Sequence, residues 1–337
     1  MKPFFSILIP VFNQVGLMDG CIASIKGQTF GDFEVILVDD GSTDDSYNMC
    51  MGFCEGDSRF RVLRHEKNSS LVAGRYTGMK DSKGDYILYV DSDDYLEKDA
   101  LEVLHKSLTE KPVDILRFGY FKEFTGDQKP GFGLEIKNEE VLPLHTDDPL
   151  RAVLTDEMVP NVWKNCYSAA VIKRAVERIE PFYCNMGEDV YWSTVLFTCA
   201  ESDGVLDKCL YHYIIGTGMS TSSANMSVEK LHTHIKNIRF CIDHIRDYLS
   251  KYKPEFLDLL EEKYITMNCF ILLIAIKDEP DYCKIVRYLN VFDEEGLDRV
   301  FEYGCKKVLS FKFRMDYKIT DEMLDKLGVK YDKFTMK

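Results

Sequence analysis

Several signatures are absent from the 337 residues, and each absence excludes a class. No G-x-x-x-x-G-K-[ST] run occurs, which removes a P-loop NTPase. The turn after the first apolar stretch reads Pro10-Val11-Phe12-Asn13-Gln14, where a dinucleotide fold needs G-x-G-x-x-G. The 11 cysteines are scattered and never form C-x-x-C, so a zinc site of that spacing is excluded. Scattered thiols fit a reduced, cytoplasmic setting. Basic charge is scarce: 42 Lys and Arg stand against 56 Asp and Glu, a net charge of −14. Non-specific nucleic-acid binding is therefore not expected, and an anionic ligand needs a metal or a few placed cations. The longest apolar run, Cys269 to Ile276, is too short to span a bilayer. Phe4 to Pro10 is apolar but brief and lacks a small-residue cleavage site, so it reads as a first strand and not as a secretory signal.

What is present is an ordinary globular composition, 45% hydrophobic and 12% aromatic, over a length that allows two or three domains. One stretch organises the chain: Tyr86-Ile87-Leu88-Tyr89-Val90 followed by Asp91-Ser92-Asp93-Asp94. The apolar part reads as a buried strand. Carboxylates this close repel one another unless a cation or hydrogen-bond donors hold them. Two Asp one residue apart at a strand end suit a divalent ion that prefers oxygen ligands. The plainer reading is a solvated, Asp-rich turn.

Strands are expected at 4–9, 33–38, 59–64 and 86–90, with helices at 17–26, from Ser42 to about Cys54, and from Ser70 to Asp81. Ser42 and Asp45 resemble a capping box for the second of these. A strand-helix repeat of this kind predicts a parallel sheet, with ligands outside the carboxyl ends of its strands. Pro10 to Asn13, Asp39-Asp40 and Asp91 to Asp94 should then share one edge. Further on, the pattern predicts a helix from Ala100, a strand at 113–120, a surface excursion at 122–150 and an extended segment at 161–165. Helices from Ser168 and from Gly187-Glu188-Asp189 and a strand at 205–215 follow. Glu188 and Asp189 in a first helical turn have a plain reading, complementing the helix dipole. Gly216 to Ser223 has the composition of a lid, or of a linker. Helices at about 228–250, 254–277 and 281–290 follow, and no internal repeat is visible.

These residues together resemble family-2 glycosyltransferases of the GT-A fold, of bacterial type. The matching stretches are Ser6 to Asn13, Ser24-Ile25 with Gln28-Thr29-Phe30, Phe33 to Asp44, Ala73-Gly74-Arg75 with Gly78, and Gly84 to Asp94. Trp163-Lys164 and Gly187 to Val190 also match, so the resemblance covers about residues 4–222. It implies an α/β, Rossmann-like, mostly parallel sheet flanked by helices. A donor half at about 1–120 and an acceptor half at about 121–222 would precede a helical C-terminal region at 223–337. It further implies an inverting, metal-dependent transferase that moves a sugar from a nucleotide donor, most often a UDP-sugar, with Mn²⁺ or Mg²⁺ at the diphosphate. The acceptor would be a glycan or lipid-linked hydroxyl in cell-surface polysaccharide synthesis. On that pattern Pro10, Val11 and Asn13 lie by the base and ribose. Asp40 reads the uracil edge, with Asp39 beside it, and Arg75 lies near the nucleotide. Asp91, with Ser92, sits by the ribose, Asp93 holds the metal, and Asp189 is the general base with Glu188 next to it.

The chain departs from the pattern in places. Tyr76 replaces the Asn common after the Arg, and Tyr211-His212-Tyr213 runs into Ile214-Ile215 where the family often carries basic residues. A cationic clamp from this strand is thus in doubt. Lys164 is the better candidate cation, and a lone strand histidine such as His212 is more often structural. Trp163 reads as packing or as an acceptor platform. Residues 305–314 mix cations with apolar side chains. They read as a snorkelling surface, or as a peripheral membrane contact at the inner face. Two rivals stay open: a nucleotidyltransferase on a related sheet, and a non-catalytic sugar-nucleotide-binding subunit. Oligomeric state is open too.

Overall fold

A computed structural model describes residues 2–124, 139–215, 226–276 and 282–294. The chain divides into two compact units. The first comprises Met1–Gly126, Ile136–Val153 and Met158–Gly218, and the second Asp127–Glu135, Leu154–Glu157 and Met219–Lys337.

The first unit is α/β. Its opening third alternates β1 (Phe5–Val11), α1 (Met18–Lys26), β2 (Phe33–Asp39), α2 (Ser46–Glu55), β3 (Phe60–Arg64), α3 (Ser70–Asp81) and β4 (Tyr86–Tyr89). The ladders β1–β2, β2–β3 and β1–β4 are all parallel, as the strand-helix repeat predicts. β1 and β2 are buried along nearly their whole length, which explains why they read as continuous apolar runs and not as alternating ones.

After β4 come β5 (Tyr95–Leu96), α4 (Ala100–Glu110), β6 (Ile115–Phe124), β7 (Glu139–Val141), α5 (Pro149–Leu154), β8 (Asn165–Ser168), α6 (Ala169–Arg178), α7 (Glu188–Cys199) and β9 (Asp203–Ile215). The sheet order is β3-β2-β1-β4-β8-β6-β9-β5, with β7 paired to β6. Antiparallel pairing enters here: β8 runs against both β4 and β6, β5 against β9, and β7 against β6. This curled α/β sheet is the expected fold class, its parallel ladders being those of the first four strands and the long β6–β9 pair.

The reversal at β8 has a consequence for placement. Leu88 on β4 pairs with Cys166, so the residues that open β8 lie beside the carboxyl end of β4. Lys164 is thereby delivered to the edge where β1, β2 and β4 end. The extended segment is Asn165–Ser168, four residues later than the sequence suggests. Helix α6 begins where expected, because the Ser168 hydroxyl accepts from the Val171 N–H. Helix α2 starts at Ser46, not near Ser42, and no capping box forms. The Ser42 hydroxyl instead accepts from the Asn13 N–H at 3.1 Å, which ties the loop after β1 to the loop after β2.

The second unit is helical where described: α8 (Val228–Tyr252), a 3-10 turn at Pro254–Phe256, α9 (Leu259–Ile276) and α10 (Tyr282–Glu294). Leu231, Ile235, Ile238, Ile242, Ile245 and Leu249 recur at helical spacing along α8 and are buried. Lys263, almost fully buried, pairs with Asp156 in the same unit. Residues 216–223 and 305–314 lie outside the described residues. No helix among those described is long and apolar enough to cross a membrane.

Candidate active site

The parallel register puts three strand exits side by side. Val11 pairs with Asp39, the Asp40 N–H donates to the Val11 carbonyl, and the Val90 N–H donates to the Leu8 carbonyl. Pro10 to Asn13, Asp39-Asp40 and Asp91 to Asp94 therefore line one edge. Val11 itself is core, about 1% exposed. Asn13 adopts a left-handed φ of 54°, which a short amide side chain tolerates, and its Oδ1 accepts from the Thr43 N–H at 2.9 Å.

The two aspartates after β2 differ. Asp39 is fully buried with no hydrogen bond to either carboxylate oxygen among the described residues, and Arg64 Nε lies 3.2 Å from its Oδ2. Asp40 is held by two donors on one oxygen. Its Oδ1 lies 2.6 Å from His65 Nδ1 and accepts from the Ser69 N–H at 2.9 Å. The turn that allows this is tight: a Cβ on Gly41 would sit 2.5 Å from the Lys67 carbonyl carbon. Glycine at φ +69° lets the 40–42 turn press against 67–69.

The loop after β4 is braced from β9. The Asp91 N–H donates to the Tyr211 hydroxyl at 3.1 Å, and that hydroxyl donates to Asp94 Oδ2 at 2.7 Å. Asp94 Oδ1 accepts from the Ile214 N–H at 2.8 Å. Burial, then the charges of Asp91 and Asp93, push the Asp94 carboxyl up to about 9. Asp91 is pushed up to about 6 by burial, and Asp189 and Asp93 add to this against the opposing charge of Arg75. Ser92 is buried between the two partly exposed acids Asp91 and Asp93. Sequence reasoning assigned no role to Tyr211 or Asp94. The signal available was that a third carboxylate in such a turn needs a neutralising or donating partner.

Arg75 joins this loop to the helix at the far side of the site. It lies on α3, about 2% exposed, and its Nη1 donates to Asp189 Oδ1 at 2.5 Å while Nη2 lies 3.8 Å from Asp91 Oδ1. Asp189 forms no cap for α7: the cap residue is Gly187 at φ +89°, and no side chain caps the helix. The plain dipole reading is thus supplemented by a short ion pair across 114 positions of sequence. Glu188 is pushed up to about 7 by burial and by Asp189, with Arg75 pulling the other way. A second clasp holds the same pieces. Ser70, at φ +79°, donates from its hydroxyl to the Phe182 carbonyl and accepts from the Cys184 N–H.

Lys164 reaches this edge but is not a freely charged clamp. Its Nζ donates to the Val159 carbonyl at 2.5 Å. Burial and the Arg117 charge push it down to about 7, with Asp189 opposing. Trp163 is packing: it is about 2% exposed and stacks on Tyr211 at 4.4 Å and on Tyr213 at 5.3 Å. His212 braces β5 and β6, between Glu97 (2.9 Å) and Glu123 (2.6 Å) and stacked on Tyr95.

No three His, Cys, Asp or Glu side chains among the described residues form a ready cage for a metal. Asp91 and Asp93 do supply hard oxygen donors on one tight loop, and Asp91 is raised chiefly by burial, with Asp189 and Asp93 adding to it. Mg²⁺-type ions are typically held by one or two carboxylates and completed by substrate phosphates, and this donor set fits that pattern.

Comparison with known proteins agrees with the fold. Glycosyltransferase GlyA of Streptococcus pneumoniae is 30% identical over 220 residues, 63% of this chain and 31% of GlyA. The uncharacterized glycosyltransferase EpsJ of Bacillus subtilis is 30% identical over 215 residues, 63% of this chain and 61% of EpsJ. The chain thus spans between about a third and three-fifths of these relatives. Among solved structures, S. aureus TarS 1–349 in complex with UDP-GlcNAc superposes with a TM-score of 0.57 at 19% identity, covering 98% of this chain and 93% of that one. The mannosyltransferase PcManGT from Pyrobaculum calidifontis, in complex with GDP-Man and Mn²⁺, gives 0.51 at 13% identity, covering 98% and 89%. Both likenesses bear on the fold, which is that of GT-A glycosyltransferases. A model of the family described as glycosyl transferase family 2 matches residues 6–176, just over half of the sequence, and the chain belongs to that family.

Proposed function

We propose that the protein is an inverting glycosyltransferase that moves a sugar from a nucleotide donor, a UDP-sugar, to a hydroxyl of a glycan or lipid-linked acceptor in cell-surface polysaccharide synthesis. The observation that carries this reading is the Arg75 bridge, which brings the Asp91–Asp93 loop and the Glu188-Asp189 pair together at one sheet edge. A non-catalytic binder has no need to hold a second acidic pair against its nucleotide loop.

In this reading Pro10, Asn13 and Asp40 receive the base and ribose, and Asp91 meets the ribose. Asp93 would hold a Mn²⁺ or Mg²⁺ ion. When bound, that ion stabilises the charge that develops on the leaving diphosphate. Asp189 uses the oxygen that Arg75 does not occupy. The acceptor hydroxyl oxygen attacks the anomeric carbon, its proton passes to Asp189, and the bond to the diphosphate breaks with its electron pair leaving on the diphosphate oxygen. A single displacement inverts the anomeric carbon. Arg75 holds Asp189 in place through its 2.5 Å contact to Oδ1. The buried Lys164 gains a reason to take up a proton once a diphosphate lies nearby, since a neighbouring anion favours its charged form.

UDP is favoured as the donor nucleotide because Asp40 offers a carboxylate at the expected base position, and because TarS was solved with UDP-GlcNAc. PcManGT, solved with GDP-Man, makes GDP-sugars the alternative to test. A thermal-shift screen of UDP-, GDP- and TDP-sugars with Mn²⁺ reads this directly, since ligand that binds only the folded state raises its stability. UDP-sugars should give the largest shift. A shift with GDP-sugars alone would replace the donor, and none with any nucleotide would remove the reading.

A further inference from the structure

We propose that His65 is a positioning residue that locks Asp40 so that it selects a nucleobase presenting a ring N–H. The proposal rests on the reading above that Asp40 faces the donor base.

The geometry begins with the sheet. The His65 N–H donates to the Asp39 carbonyl at 2.9 Å, which carries the β2–β3 ladder one residue beyond β3. His65 is thereby fixed beside the exit of β2. Its Nδ1 lies 2.6 Å from Asp40 Oδ1, and its Nε2 lies 2.8 Å from the Thr77 hydroxyl on α3. A carboxylate only accepts, so Nδ1 carries the proton, and in the neutral ring Nε2 accepts from Thr77. The Ser69 N–H donates to the same Asp40 oxygen at 2.9 Å. Oδ1 thus holds two donors, while Oδ2 has no hydrogen bond among the described residues.

The asymmetry is what matters. Two donors from different segments, the end of β3 and the turn before α3, fix both the plane and the tilt of the carboxylate. The side chains of Asp40 and His65 are 7% and 18% exposed, so water does little of this work. The oxygen left over accepts and cannot donate. It can take an N–H from a base such as uracil, whose N3 bears a proton. It cannot make this bond to cytosine, which has nearly the same shape but a bare ring nitrogen at that place and donates only from its 4-amino group, one position round the ring. A site built around such a hydrogen bond rejects the analogue that lacks it, because the polar group is left without a partner. A free-turning Asp40 would discriminate less, because it could swing Oδ2 away from the unpaired nitrogen.

A purely structural role is the competing account, since His65 also ties β3 to α3. That role predicts a lower melting temperature with no change in base preference. The two accounts separate on the ratio of UDP to CDP affinity, measured by calorimetry on the full chain. The wild type should bind UDP at least about 100-fold more tightly than CDP, the scale of a charge-assisted hydrogen bond made or lost. His65→Ala should weaken UDP by about 10-fold and leave CDP nearly unchanged, so the ratio falls by the same factor. His65→Asn, whose amide can donate from near the Nδ1 position, should restore most of the ratio. Thr77→Val, which removes the far partner only, should fall between. A His65→Ala variant that melts lower yet keeps the wild-type ratio would overturn the proposal. Asp40→Ala tells the two levels apart. If it leaves UDP affinity unchanged, Asp40 does not face the base, and the underlying placement fails together with this proposal. If it weakens UDP while His65→Ala leaves the ratio intact, only the role of His65 is lost.

Discussion

Arg75→Met should cost more stability the higher the pH. The wild-type guanidinium is buried and sits among Asp91, Glu188 and Asp189, and the charges of all three acids favour its protonated form. Methionine keeps the length and packing of the side chain but removes the cation. Breaking one side of a buried ion pair costs about 3–5 kcal/mol. The partner side chains Asp91 and Asp189 are 27% and 30% exposed, so solvent screens part of this and the lower end, about 3 kcal/mol, applies at pH 8. The pH dependence follows from Glu188. Its carboxyl is raised from an ordinary 4.5 to about 7 in the fold. A raised acid binds its proton more tightly in the native state than in the unfolded chain. Its contribution to stability is therefore complete below about 4.5 and is lost as pH rises towards 7. Arg75 limits that loss by favouring the ionised form, so its removal widens it. At pH 5 Asp91 and Glu188 can protonate, and the deficit should shrink to about 1–2 kcal/mol. In a unit of about 150–250 residues each kcal/mol moves Tm by about 2–4 °C, so calorimetry should show a drop of about 6–12 °C at pH 8 and a clearly smaller one at pH 5. An equal drop at both pH values, or none at pH 8, would refute the electrostatic account of Arg75.

Asp93→Asn should keep the fold and the metal-independent part of UDP binding but lose the part that Mn²⁺ adds, read by calorimetry with and without chelator. Undiminished transfer in excess chelator would remove the metal from the mechanism. Wild-type turnover should rise with pH through about 7 as Glu188 sheds its proton and adds negative charge beside the place where the acceptor's proton departs. Glu188→Gln should flatten that rise, and a rise that survives the change would remove Glu188 as its cause. If residues 305–314 meet anionic lipid, the full chain should co-sediment with such vesicles at low salt and be released as salt screens the charges. No binding at low salt leaves the snorkelling surface.

Much of the first unit was legible because local and tertiary preferences agree there. The helices at 70–81 and 188–199 coincide with the expected ones, and the apolar runs of β1 and β2 mark strands buried on both faces. Partner choice was less legible. Ser42 and Asp45 satisfy a capping pattern locally, but the Asn13 N–H takes the Ser42 hydroxyl, and a backbone donor 29 positions away leaves no mark on local sequence. The antiparallel entry of β8 was likewise invisible, since pairing direction depends on how the chain returns and not on its apolar pattern. The candidate residues at the strand ends could be named from the sequence. Their couplings could not: Arg75 with Asp189, Tyr211 with Asp94, and His65 with Asp40 each join segments distant in sequence. Lys164 shows the cost of reading charge without burial. The sequence offers a cation, but the fold pushes its ammonium down to about 7.

The measurement that bears most directly on the mechanism is sugar transfer by Asp189→Asn, set beside its UDP affinity and its melting temperature. A general base contributes about 10²-fold or more to turnover. The account predicts that Asp189→Asn binds UDP like the wild type and stays folded, with transfer reduced by at least that factor. A variant that melts lower but transfers sugar at near the wild-type rate would contradict it, and would leave Asp189 as no more than the partner of Arg75.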